Sequence, residues 1–177
     1  MTEQDGSKHD RIRRQNKTTV RTTVRMTEQD NSKHDRTGRQ NKTTMMSDCY
    51  IALECWEAVE LDYAGYGGKV LARLFKKHQN TQMHFPNLVG IPEYDLEGNG
   101  KVSAHGAAVL KELGRLLRGA KNATALIELL GRHPCAVKIL KLFIAVLVEV
   151  MTEKGHPRYK LRAFERVMVD IIANIDD

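Results

Sequence analysis

The chain has 177 residues, with 28 Lys and Arg against 22 Asp and Glu, a formal charge of +6. That length holds one ordinary domain with an extension and leaves little room for two full domains. Residues 1–45 carry 11 basic, 6 acidic and only six apolar side chains, whereas residues 46–177 are nearly neutral and rich in apolar positions; the basic balance therefore lies mostly in the leader and does not argue that the folded part binds nucleic acid.

The leader comes first. MTEQDGSKHDRIRRQNKTT at 1–19 returns at 26–44 as MTEQDNSKHDRTGRQNKTT, with three changes. Two polar copies without an apolar face cannot stack into a solenoid. Nor can they bury enough surface to offset their ordering entropy, so residues 1–45 are expected to be disordered. A basic arm for nucleic acid is argued against by the interspersed acids and absent aromatics. The polar start lacks the apolar run of a secretory signal. The longest apolar run, residues 142–148, is too short to span a bilayer. Cys49, Cys55 and Cys135 form no CxxC pair and suit a reducing compartment. These features predict a soluble, cytoplasmic protein.

Helical periodicity fills the remainder. From Ser47, a cap candidate, Ile51, Cys55, Trp56 and Val59 share one face. The glycine-rich DYAGYGG at 62–68 reads as a break before a helix over 69–78. Pro86 and Pro92 mark a loop-rich region. Helices are then predicted over 101–118, 122–131 and 136–153, the last apolar nearly all round and so central. Its run IAVLVEV could also form a strand, but no second strand-like segment exists to pair with it. After Gly155-His156-Pro157, a final helix aligns Leu161, Phe164, Val167, Met168, Ile171, Ile172 and Ile175. The predicted fold is all-α, with six or seven helices around one core.

Two histidines stand out. His105 shares an apolar face with Val109, Leu113 and Leu116, and His133 follows 28 residues later, just beyond the next helical segment. Two helices could thus present imidazoles to the two sides of a flat cofactor such as haem, which needs one strong nitrogen ligand and a gated opposite face. The plain alternative is a hydrogen-bonded core or boundary histidine.

Longer motifs carry a resemblance. MSDCYIALECWEAVELDYAGYGGKVLARLF at 46–75, HFPNLVGIPEYDLEGNGKVSAHGAAVLKELGRLL at 84–117, VLVEVM at 146–151 and RVMVDIIANID at 166–176 follow one another in the order of the globin family. About three quarters of the chain, residues 46–177, resembles that family and in particular its fish-type myoglobin branch. The resemblance implies a globin-like fold of six to eight helices around a haem pocket, haem b as cofactor, and reversible binding of molecular oxygen and other diatomic ligands. It further implies a monomer that stores and supplies oxygen inside the cell, in the sarcoplasm, as a carrier and not an enzyme, with nitrite reduction or peroxide turnover as secondary activities. Neither nucleic acid nor membrane is a partner. By the same resemblance His105 matches the distal histidine, Val109 the residue that crowds the ligand, Phe85 the ring stacked on haem, Leu71 the aliphatic roof and Ile139 a residue under the ring.

The proximal ligand departs from the family pattern. Counted from His105, His133 falls one residue short of the family spacing, which makes it the ligand of the iron. Counted back from VLVEVM, it lies about four residues too close to the next helix, which equates it with a non-ligating histidine and puts Leu129 at the iron. His133 is the preferred ligand, with the shortening taken up in the following corner. Gln79 stands where the family usually has proline at the start of its short third helix. A rival motif is the calcium-loop spacing from Asp95 to Ser103, but its twelfth position, normally a bidentate glutamate, is Gly106.

Overall fold

The computed structural model describes Gly38, residues 40–131 and residues 135–176. The chain divides into two units, residues 1–44 and 45–177. Of the first, Gly38 and residues 40–44 are described, and all are helical. The second opens with α1, helical from residue 45 to residue 60. The sequence expectations therefore need correcting at this point. Helix is already formed before Ser47, and residues 40–45 are not irregular. Gln40, Lys42 and Met45 are good helix formers, and the Thr44 hydroxyl donates to the Gln40 carbonyl at 2.9 Å. The rest of the leader lies outside the described residues.

The order continues with α2 (Tyr63–Lys77), 3-10 turns at Gln79–His84 and Glu93–Asp95, α3 (Gly100–Leu117), α4 (Thr124–Leu130), α5 (Cys135–Glu153) and α6 (Arg158–Asp176). No strand occurs among the described residues, so IAVLVEV is helical. The 3-10 turn begins at Gln79 although the proline usual in the family is absent.

The break expected at 62–68 is instead the first part of α2. Asp62 caps the helix by accepting from the Gly65 amide at 2.9 Å, and Gly67 then meets Gly106 of α3 backbone to backbone. A Cβ on either glycine would collide with the other's main chain. The glycines that looked like a breaker are the condition for a close helix crossing. Asn99 caps α3 in the same way as Asp62 caps α2, accepting from the Lys101 amide at 3.0 Å.

Helix α5 lies against α2, α4 and α6, and is central as its composition predicts. It is not buried all round, since Lys138, Lys141, Ala145 and Glu149 form an exposed stripe. On α1, Cys55, Trp56 and Val59 are buried, and Trp56 stacks on Phe164 of α6 at 5.6 Å and 14°. The Arg166 guanidinium makes a forked pair with Asp48, at 2.6 and 2.7 Å, and holds that carboxyl below its ordinary value. Along the exposed seam of α2 and α5, Arg73 and Lys69 hold the Glu153 carboxyl down to about 2. An exposed pair of this kind adds little stability.

Candidate functional site

The loop after α2 sets the position of Phe85. The Gln82 side-chain amide donates to the carbonyls of Leu88 and Ile91 at 2.8 and 2.9 Å, and the Phe85 amide donates to the Gln82 carbonyl at 3.1 Å. With its backbone fixed in this way, Phe85 places its ring between Phe75 and His105. It meets each edge-on, with centroids 5.2 Å away in both cases. Helix α3 carries His105 half-buried, and Val109 one turn later fully buried. Leu71 on α2 and Ile139 on α5 are also buried, and Leu71, Phe85, Val109 and Ile139 belong to one apolar cluster.

The His105 Nε2 donates to the main-chain carbonyl of Leu129 on α4, at 2.8 Å. This bond was not legible in the sequence, because a main-chain acceptor has no side-chain signature. Both ends of α4 are held as well. Arg115 donates to the Asn122 carbonyl, and the Asn122 side chain accepts from the Thr124 amide at 2.8 Å. At the other end Gly131 has φ 115° and ψ −164°, a conformation essentially confined to glycine. An added Cβ there would lie 3.5 Å from the His84 Cβ, an ordinary van der Waals distance, so it is the backbone conformation that calls for glycine. Leu126 and Leu130 of α4 are fully buried.

Residue chemistry and geometry give different answers about haem. An imidazole beside an aromatic ring and aliphatic side chains is a suitable lining for a flat, apolar, iron-bearing ring. A ring held between α3 and α4, however, cannot share the space crossed by a direct hydrogen bond from His105 to Leu129. In this arrangement the residues do not fit haem, and α4 would have to move away from α3 to admit it. His133, the expected ligand, lies outside the described residues.

The calcium-loop spacing serves other ends. Glu97 pairs with Lys76 at 3.3 Å, Asn99 caps α3, and the helix starts at Gly100, midway through the would-be loop. Among the described residues no three His, Cys, Asp or Glu side chains are grouped to hold a metal ion. No helix among them is long and apolar enough to cross a membrane.

Comparison with known proteins bears on the same segment. The globin family model matches residues 68–175. The chain is 44% identical to a myoglobin of Cyprinus carpio over 137 residues, covering 74% of this chain and 93% of that protein. It is likewise 44% identical to a myoglobin of Danio rerio, with the same coverage, and 42% identical to one of Tetraodon nigroviridis, of which 94% is covered.

Proposed function

The chain belongs to the globin family, and from that premise we propose that it is a haem-containing, oxygen-binding protein for intracellular oxygen storage and supply. Its relatives in that family are carriers and not enzymes. The observation that carries the reading is the meeting of His105 with Phe85, beside Val109, on helices in globin order. In this reading the cofactor is haem b, one per chain, with His133 as the proximal ligand and His105 on the distal side. With α4 moved aside from its bond to His105, His105 would offer an N–H to a diatomic ligand of haem, and Leu71, Phe85, Val109 and Ile139 would keep water away. A hydrogen bond to a charged acceptor is worth about 1.5–3 kcal/mol, which would favour oxygen over an uncharged ligand. The protein acts as a monomer in the cytoplasm, the sarcoplasm if it serves muscle, without nucleic-acid or membrane partners. Any nitrite reduction or peroxide turnover is secondary.

The test is reversibility. The full chain, supplied with haem and reduced, is cycled between oxygen and argon while its visible spectrum is recorded. Bands that shift and return support the proposal. A chain that oxidises at once to the ferric form, or gives no oxygen-dependent change, refutes it.

A further inference from the structure

The charges of α6 run against its dipole. Its basic residues, Arg158, Lys160, Arg162 and Arg166, come first, and its acids begin only at Glu165 and continue with Asp170 and Asp176. A helix gains from acids in its first turn and bases in its last, and α6 has neither. The corner before it adds a further cation, so that residues 154–164 carry Lys154, Arg158, Lys160 and Arg162 and no acid.

Two of these cations serve the fold. Lys160 pairs with Glu54 of α1 at 3.4 Å, and Arg166 with Asp48. Lys154 lies over the Tyr66 ring. Arg158 and Arg162 have no such duty. Both are exposed, and neither pairs with an acid among the described residues, Glu165 included. Nor are the acids that adjoin the corner available to them, since Lys160 engages Glu54, and Arg73 with Lys69 engages Glu153. Like charges four residues apart on a helix repel, so this pair costs α6 stability in addition to opposing its dipole. Tyr159 stands beside them, 61% exposed.

We propose that the exposed face of the first turns of α6, Arg158 and Arg162 with Tyr159, is a docking surface for an acidic segment of a partner protein. Charge complementarity identifies the partner: carboxylates laid along this face neutralise the two cations that the chain leaves unpaired. A guanidinium takes a carboxylate through two parallel hydrogen bonds, which gives the contact direction as well as charge. Arg and Tyr are also the side chains that carry most of the binding energy at protein interfaces. A membrane suits the face less well, because Tyr159 is flanked there by Arg158, Arg162 and Glu165 and not by apolar side chains that would insert. The surface makes no use of haem, so the proposal stands apart from the haem-binding reading.

The experiment titrates the full chain, labelled for amide NMR, with an alanine-rich helical peptide that carries glutamate at every fourth position. Saturable shifts should appear at the amides of residues 158–166 and fade as salt is added. The double variant Arg158→Gln, Arg162→Gln should bind the peptide about tenfold more weakly, the worth of two solvent-exposed ion pairs. The same variant should melt about 2–4 °C higher than the wild type, because it loses two charges that oppose the helix. Weaker binding together with a higher melting temperature is the signature of charges kept for a partner and not for the fold. Shifts confined to the basic residues 1–45, no saturable shift, or equal binding by the wild type and the variant overturns the proposal. A melting temperature unchanged or lowered in the variant also overturns it, since the two arginines would then not be a cost to the fold. Vesicles of phosphatidylserine and phosphatidylcholine form the second arm. Sedimentation of the wild type with them, lost in the variant and without binding of the peptide, overturns the protein partner in favour of a membrane.

Discussion

Tyr66 and His156 meet with Oη and Nε2 2.8 Å apart, while the Cys55 Sγ lies 3.2 Å from the other ring nitrogen. One imidazole thus joins α1, α2 and the corner between α5 and α6. The Tyr66 hydroxyl and the Cys55 thiol can each donate or accept, so the ring is held in either tautomer, and what disfavours its protonated form is burial. Burial, then the charges of Lys160 and Lys154, push the His156 ring below its ordinary value. The Lys154 ammonium also lies over the Tyr66 ring, 4.3 Å from its centroid. Burial pushes the Tyr66 hydroxyl and the Cys55 thiol up, which keeps both neutral.

Acid should therefore weaken the fold through His156. As pH falls through 6.5 the unfolded chain takes a proton that the folded ring still refuses, so stability is full above that value and declines below it. Urea unfolding at pH 7.5 and pH 5.5 should show a smaller acid loss in His156→Gln than in the wild type. Equal losses would show that this ring does not govern the acid limb.

The crossing of α2 and α3 should tolerate no side chain. Gly106→Ala places a methyl group against the Gly67 main chain, which cannot rotate away as a side chain could. A loss of about 1–3 kcal/mol is expected, read as a lower urea midpoint with unchanged slope. Gly100→Ala, where an added Cβ meets nothing within 4 Å, should change little. Comparable losses in the two variants would place the cost outside the crossing.

How legible the chain was depended on the kind of contact. The apolar face of α6 could be read from spacing, because burial follows helical period; Leu161, Phe164 and Met168 are buried as the pattern requires. The segment 62–68 was misread because local propensity sees glycine as a breaker, while the reason for Gly67 lies 39 residues away in Gly106. The placement of Phe85 against His105 could be inferred only through the family resemblance. The bond to Leu129 could not be read at all, since any residue presents the same carbonyl.

The leader should be dispensable for the second unit. In a chain beginning at Met46, Ser47 becomes available as an N-cap and Asp48 falls in the first helical turn, where its charge favours the helix. Its pairing with Arg166 does not involve residues 1–45. We expect thermal unfolding within a degree or two of the full chain. A drop of ten degrees or more would show that the leader contributes to the fold.

The proximal assignment has its own test. His133→Gly should abolish the ferrous haem spectrum of the wild type, and added imidazole should restore it by supplying the missing nitrogen. An unaltered spectrum in the variant would withdraw His133 as the ligand and leave the family assignment in place.

The most direct test of the whole account is a stoichiometric titration of the full chain with haem, followed by the Soret band and by quenching of Trp56 fluorescence. A break at one haem per chain is expected in both signals. A titration that gives no Soret band and no quenching at any ratio would contradict it.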